Sequence, residues 1–377
     1  MIDTVYLIAG IIQILNLILE KCNKEECKMK VREVTMKKKR LFKGILCSAV
    51  LAGCLMIAKP LTGHAEEMPE TDTSKGVTME TENNTDYLYL NGNSVVIKEA
   101  DASTEDNPLI NLYIDANRNG IVDADETMVS VDNIRDFQPC RIYGVKAEKL
   151  TAPFRITVEI GTVGAIYGVY GSEAALQVSN EAAVTIDMKG GTVSYIAGVC
   201  NAAVSSASDT AVRYVQSGGT IEEVQLIQGA DVTAQGGKDG VVDADMSGGT
   251  IKNLYVLSNA SVKGKEASQA LNISATGSSQ ITALYVARAN VLAEDAAYQI
   301  IGDVSVNLDY EKQAANYNIT ALYGLIQDNT EIKGNVSYCF NNANINQLGN
   351  LLSKITNLSG HSIWNLRNQR LQAQVRL

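Results

Sequence analysis

The chain has 377 residues, 46% of them hydrophobic, and carries 32 Lys/Arg against 42 Asp/Glu, a net −10 at pH 7. Residues 1–65 hold 11 Lys/Arg and 5 Asp/Glu, so residues 66–377 retain 21 against 37, a net −16. So acidic a surface disfavours nucleic acid and anionic membrane as partners, and it favours solubility and divalent cations. Five prolines and 30 glycines suit a β-rich chain with many corners, and the length is ample for a core that needs no disulfides.

At the N-terminus, Met36 opens a basic stretch ending at Arg40, and Ile45–Ala58 is an apolar run of 14 residues broken by Pro60. Gly63, His64 and Ala65 provide small residues at a cleavage position, so residues 36–65 read as a secretory signal peptide. The apolar run is too short to span a bilayer as a helix. Arg32, Glu33, Val34 and Thr35 back-translate to a near match of a bacterial ribosome-binding sequence just before Met36. Residues 1–35 therefore read as an upstream leader; the alternative is a first membrane segment over Val5–Leu19. Leu51, Ala52, Gly53 and Cys54 resemble a bacterial lipobox, which makes a lipid anchor on Cys54 the alternative to plain secretion. Either route places the body outside the cell, with no membrane insertion of the mature chain.

Residues 66–85 are an acidic, Thr/Glu-rich linker, and residues 86–155 are expected to form a small β-rich cap. Within the cap, Asp115, Asn117, Asn119, Gly120, Ile121, Asp123 and Glu126 match D-x-N-x-N-G-x5-E without a gap. Alternate positions of a tight loop aim hard oxygens at one centre, as Ca²⁺ requires. Asp115, Asn117 and Asn119 would give side-chain oxygens and Ile121 its carbonyl. Asp123 would add a carboxylate or a bridging water, Glu126 would close the site with two oxygens, and Gly120 makes the turn. The motif resembles the calcium loop of EF-hand and dockerin-type modules, but flanking alternation over Leu109–Ile114 and Thr127–Val131 predicts strand–loop–strand. A metal-free Asn/Asp/Gly hairpin is the competing reading. Asp239–Asp245 echoes the motif, but Ala234, Gly236 and Lys238 occupy its earlier positions, so it reads as a solvated strand face.

Residues 156–359 contain one phrase seven times: aliphatic, two any, aliphatic, two any, small or aliphatic. Copies start at Val163, Val193, Ile221, Ile251, Ile281, Ile319 and Ile345, with spacings of 30, 28, 30, 30, 38 and 26 residues. Gly-Gly-Thr precedes three copies (Gly190–Thr192, Gly218–Thr220, Gly248–Thr250) and Gly161-Thr162 precedes the first. Before the corners apolar residues alternate, as in Ile156/Val158/Ile160, Val184/Ile186/Met188, Val242/Ala244/Met246, Leu271/Ile273/Ala275 and Val304/Val306/Leu308. Period-two alternation is the half-buried strand signal, and glycines supply the sharp corners. A second short strand (Ile251–Leu257) and often a third apolar pair (Ala230/Val232, Ala260/Val262) follow. Self-similarity at this period means a stacked array. The expected class is all-β: a parallel β-solenoid of about seven coils of roughly 30 residues, preceded by the cap. Residues 360–377 read as a C-terminal tail without a repeat, a cap or a sorting motif, with truncation of the array as one explanation.

The Gly-Gly-Thr-Ile and Leu-Tyr phrases resemble repeat-containing, adhesin-like surface proteins of Gram-positive bacteria, over roughly residues 156–350. That resemblance implies an extracellular binding role. Tyr167, Tyr255, Tyr285 and Tyr323 each fall four residues after a repeat start, so stacked coils would align them into a ladder. Such a ladder could stack on sugar rings, or simply pack against itself or a covering loop.

Catalysis finds little support. Beyond residue 65 the single histidine is His361, past the last repeat. Nucleophilic triads and His-based zinc chemistry need an imidazole beside a partner. Cys140, Cys200 and Cys339 are too scattered for a disulfide framework or metal cluster, and Cys200 reads as a core residue. Some β-helices are polysaccharide lyases or hydrolases, but the repeats show only scattered Arg213 and Arg288 and no recurring carboxylate pair. The expectation is a secreted or surface-tethered, non-catalytic binding or adhesive module with a structural Ca²⁺. Its partner would be a glycan or another cell-surface protein. The alternatives are a self-assembling cell-surface scaffold and a Ca-dependent polysaccharide lyase or hydrolase.

Overall fold

The computed structural model describes residues 76–371, apart from 83–84, 147–151, 172, 177–181, 266–267, 290–296, 312–315, 327–329, 350–354, 359–361 and 368–369. The expected leader (1–35), the signal peptide with Cys54 (36–65), most of the linker and the last residues of the tail lie outside the described residues. Glu67–Leu377 clusters as one compact unit.

Among the described residues there is no helix, and the strands form three sheets of eleven, seven and ten members. One turn runs from Val212–Gln216 in the third sheet, through a glycine corner, to Thr220–Gln228 in the first. It continues into Asp231–Thr233 in the second sheet, and Val242–Met246 then opens the next turn. Strands of successive turns pair in parallel and in register, so Ile221 lies beside Ile251, and Ile251 beside Ile281. The molecule is therefore a parallel β-solenoid. Its seven phrase copies bound about six turns, slightly fewer than the seven coils expected, because a turn is the interval between two copies.

The three-residue step within the phrase has a local cause. Where Thr250–Ser258 pairs with its neighbour, the register passes over Lys252 and Val256 and breaks the period of two. Ile251, Leu254, Val256 and Leu257 consequently all end inside, each 0–1% exposed, while Lys252 stays out. The corner that feeds this strand needs glycine on two grounds. Gly249 has φ +77°, and an added Cβ there would lie 2.5 Å from the Gly218 carbonyl oxygen of the turn beneath. Stacking the corners this closely leaves no room for a side chain.

The inward rows anticipated for the third sheet are all buried except Ile160, which is 49% exposed because its strand ends at Val158 and Ile160 already belongs to the corner. Two further strands of this sheet, Val212–Gln216 and Val336–Asn341, carry larger or polar residues inward. Tyr214 and Gln216 sit wholly inside, where the Tyr214 hydroxyl donates to Gln216 Oε1 (2.9 Å) and Gln216 Nε2 donates to the Gly218 carbonyl (3.1 Å). A buried carboxamide is tolerated when its polar atoms are met in this way.

The sheets run on into both flanks. Arg141–Lys146 pairs in parallel with Thr162–Tyr170, and Val95–Glu99 with Phe154–Val158. Two antiparallel pairings end these sheets: Thr78–Glu82 on Thr85–Tyr89, and Ile110–Ile114 on Val95–Glu99. The outermost strand of the first sheet, Thr78–Glu82, carries Glu80 and Glu82, and charged side chains blunt an exposed edge. At the other flank, Ser362–Arg367 pairs in parallel with Val336–Asn341, and Arg370–Leu371 with Asn344–Ile345, so the segment set apart as a tail extends two sheets.

Candidate binding faces and the acidic loop

Residues 115–126 leave the strand Ile110–Ile114 as a tight loop whose polar groups largely serve each other. Asp115, 1% exposed, accepts the Asn119 amide on Oδ1 (3.0 Å) and the Gly120 amide on Oδ2 (2.9 Å). The side-chain amides of Asn117 and Asn119 both donate to Asp123 Oδ2, at 2.7 and 2.8 Å. Glu126 reaches back across the loop: Oε1 accepts from the Ala116 amide (3.1 Å) and Oε2 from the Asp123 amide (3.0 Å). The turn needs left-handed backbone at Arg118 (φ 58°) and at Gly120 (φ 73°).

Both ends of the motif thus come together, and Asn117, Asn119 and Asp123 meet at one oxygen. The Ile121 side chain is 55% exposed at the loop surface. Among the described residues no group of three or more His, Cys, Asp or Glu side chains is placed to hold a metal ion. Any cation bound here would rely on the two asparagines as well as the carboxylates.

The loop does not stand free. Lys189, from the next corner, donates to the Gly120 carbonyl. A Cβ at Gly120 would lie 2.9 Å from Thr157 Oγ1 and 3.2 Å from the Arg155 guanidinium. Thr157 is fully buried beneath it, and its hydroxyl oxygen has no hydrogen-bond partner. The loop is therefore packed on the outer face of the third sheet.

Beside it opens a cavity of about 410 Å³, lined by Asn117 and Arg118 of the loop and by Arg155, Thr185, Arg213 and Asp239 of successive turns. Arg213, scattered in the linear order, is set by the register opposite Thr185, which in turn faces Arg155. Arg213 Nε also holds Asp243 Oδ2 at 3.2 Å, while Asn272 donates to Asp243 Oδ1 (2.9 Å). Asp243 is 3% exposed, so the echo motif is not the solvated face expected of it at that position. Burial raises the Asp243 pKa, against the opposing pull of Asn272 and Arg213.

On the first sheet the tyrosines form two rows. Tyr255 and Tyr285 stack with ring centroids 4.7 Å apart at 12°, and Tyr285 and Tyr323 at 4.7 Å and 10°. Arg288 lies over both Tyr255 and Tyr285 (5.4 and 5.2 Å from the centroids), with Nη1 donating to the Tyr255 hydroxyl at 3.1 Å. Tyr167 joins a different row. It stacks on Tyr143 (4.8 Å, 10°), which stacks on Tyr89 (5.4 Å, 19°), and Tyr170 packs edge-on against both Tyr143 and Tyr167. Ala197 and Gln225 occupy the two intervening positions in register and split the ladder.

Burial raises the Tyr143, Tyr167 and Tyr285 phenol pKa values, and burial with the Glu80 carboxylate pushes Tyr89 up to about 12. Tyr143 was missed in the sequence, although Ile142, Tyr143, Gly144 and Val145 repeat Ile166, Tyr167, Gly168 and Val169 residue for residue.

Cys140 and Cys200 are buried free thiols, and burial pushes each up to about 12. His361 lies outside the described residues. In comparisons with family models, curated proteins and solved structures, none matched the chain.

Proposed function

We propose that this chain is a secreted or surface-tethered, non-catalytic binding module. In this reading the outer face of the first sheet carries the tyrosines that meet the ligand, and the loop 115–126 takes a structural Ca²⁺. The observation that carries it is the row Tyr255, Tyr285 and Tyr323, set at 4.7 Å intervals on half-buried outward positions with Arg288 laid across it. Ring faces inside such a row are covered by one another. What remains for a glycan or a surface protein is the line of phenol edges and hydroxyls, with free faces only at the ends. Rigid phenols offer such contact area at little entropic cost. The signal-like residues 36–65 support export, with Cys54 as the anchoring alternative.

For calcium, the donor set fits a hard cation. Asp115, Asp123 and Glu126 supply carboxylates, Asn117 and Asn119 carboxamides, and Ile121 a carbonyl. Each carboxamide presents one oxygen as well as its nitrogen; these oxygens accept the Asn119 and Ile121 amides (3.0 and 2.7 Å), and a cation would draw them toward Asp123 in place of those bonds. Held there, Ca²⁺ would brace the loop against the third sheet; no chemistry is asked of it.

The test is the double variant Tyr255→Ala with Tyr285→Ala, screened on a glycan array and for cell-surface attachment alongside circular dichroism. A β-rich spectrum with attachment lost is the expected result. A folded variant that attaches as well as the unsubstituted chain rejects the tyrosine face. Release of unsaturated or reducing sugar ends by the unsubstituted chain rejects the non-catalytic reading.

A further inference from the structure

Among the described residues no disulfide ties one turn of the solenoid to the next: Cys140, Cys200 and Cys339 are all free thiols. A different array of reactive side chains does cross the turns. Tyr255, Tyr285 and Tyr323 stand on three successive turns, with neighbouring ring centroids 4.7 Å apart at 12° and at 10°. The β-register sets Tyr255 against Tyr285 and Tyr285 against Tyr323, so the three side chains start from equivalent backbone positions. Their spacing is the strand separation itself, and the sheet enforces it. Ala197 and Gln225 hold the equivalent places in the two turns before Tyr255, which confines the row to these three rings.

Phenols held in this relation are arranged for radical coupling. A tyrosine that gives up one electron and its hydroxyl proton becomes a phenoxyl radical, with spin on the oxygen and on the two Cε carbons beside it. Two such radicals on neighbouring turns join Cε to Cε, and the Cε hydrogen of each ring then moves to its oxygen, restoring two phenols. The pair loses two hydrogens in all; one hydrogen peroxide takes them up and leaves as two waters. Holding the partners in contact makes the coupling intramolecular. All three side chains are half-buried, which leaves their phenol edges to solvent. Two residues earlier in the same strands stand Asn253, Ala283 and Ala321, short side chains that give the rings room to tilt together. Arg288 Nη1 donates to the Tyr255 oxygen (3.1 Å), so the Tyr255 hydroxyl proton is directed elsewhere. In the other row the central ring, Tyr143, is only 7% exposed, and Tyr89 lies farther from it, at 5.4 Å and 19°. We infer that Tyr285 is the centre of an oxidative staple, in which a peroxidase-type oxidant joins it covalently to Tyr255 or Tyr323 of the adjacent turn. The bond closes a span of 30 residues to Tyr255 or 38 to Tyr323, and such a link restricts the unfolded chain far more than the folded one. The staple does not require the row to meet a ligand, and ligand binding does not require the staple.

The test treats the purified chain with hydrogen peroxide and a haem peroxidase. The expected product is a monomer lighter by two hydrogens that shows dityrosine fluorescence. Peptide mapping should join Tyr285 to Tyr255 or to Tyr323, and the thermal midpoint should shift upward by several degrees. Tyr285→Phe keeps a ring in the stack but has no hydroxyl to oxidise, and it leaves Tyr255 and Tyr323 two strand steps or about 10 Å apart. This variant should keep the circular dichroism of the unsubstituted chain and lose the cross-link within the monomer. Dityrosine formed only between molecules, or no dityrosine at all under conditions that couple free tyrosine, overturns the proposal. So does a monomeric cross-link that persists undiminished in folded Tyr285→Phe, or one that maps only to Tyr89, Tyr143 and Tyr167. Mass reads the staple and attachment reads the tyrosine face, so failure of either is visible without the other.

Discussion

The repeat coils and the acidic loop solve the same problem, how to fix a backbone, in opposite ways. In the coils a residue's partner is the equivalent residue one turn away: Leu254 lies between Val224 and Leu284, and each corner glycine rests on the corner below. In the loop nearly every partner is local, Asp115 with Asn119 and Gly120, Asp123 with Asn117 and Glu126. The coils are held by burial of apolar surface that a single turn could not close alone. The loop has little apolar surface of its own and is held by polar groups, with the Lys189 hydrogen bond to the Gly120 carbonyl as its tie to the coils. The array should therefore answer to core substitutions and the loop to cations.

The largest effect is expected in the coils. Leu254 is fully buried, so Leu254→Ala should cost about 2–5 kcal/mol in denaturant unfolding, from lost transfer energy and the cavity left behind. Gly249→Val should be at least as damaging, since it combines φ +77° with overlap on Gly218 and Gln216. Both variants unfolding at the midpoint of the unsubstituted chain would mean that the coil interior has been misassigned.

On the loop side, calorimetry should show one calcium site with a dissociation constant on the order of 10⁻⁴ to 10⁻³ M, as in extracellular modules. Calcium at 100 times that constant should add about 2.7 kcal/mol of stability. Glu126→Ala should abolish the calcium-dependent increment, and Asp125→Ala, at an exposed position outside the donor set, should leave it. A Glu126→Ala chain still stabilised by calcium would refute the site and remove the contrast between loop and coils.

The same contrast explains what could be read from the chain alone. Rows such as Val242, Ala244 and Met246, the corner glycines and the seven phrase copies all repeat locally, so the solenoid was legible. So was the composition of the loop, because its partners are close in sequence. Three things were not. The strand Val212–Gln216 hides a buried Tyr214 and Gln216 behind a polar composition, because their hydrogen bonds are made with each other and with a corner carbonyl. The second tyrosine row depends on Tyr143, whose phrase lies outside the regular spacing. The cavity beside the loop depends on register between turns: Arg155 and Arg213 are 58 residues apart, and only Thr185 between them makes them neighbours.

A milder probe of the coils is alkali. Tyr143, Tyr167 and Tyr285 have phenol pKa values raised by burial, and Tyr89 is raised to about 12. A folded pKa above the unfolded value of about 10 means stability that is complete below pH ~10 and lost as the pH rises through the folded value. Tyrosinate absorbance should therefore develop later than in the unfolded chain, together with loss of the β spectrum. Titration of all sixteen tyrosines near pH 10 with the fold intact would show that the stacks are open to solvent.

The smallest effect is expected at Lys252, and it sharpens the comparison because the residue sits inside the phrase itself, next to Ile251 and two residues before Leu254. The pairing register passes over it and its side chain points outward, where Nζ meets Glu222 Oε2 of the preceding turn at 2.5 Å with both side chains more than half exposed. Glu222 holds the Lys252 pKa above its ordinary value, through their hydrogen bond and their charge attraction. An exposed pair of this kind is screened by water and salt and loses in side-chain entropy much of what it gains. Lys252→Ala should thus leave the unfolding midpoint where it is, at low and high salt alike. If Lys252→Ala destabilises as much as Leu254→Ala, the two positions share an environment, and the inward and outward faces of the first sheet are assigned wrongly.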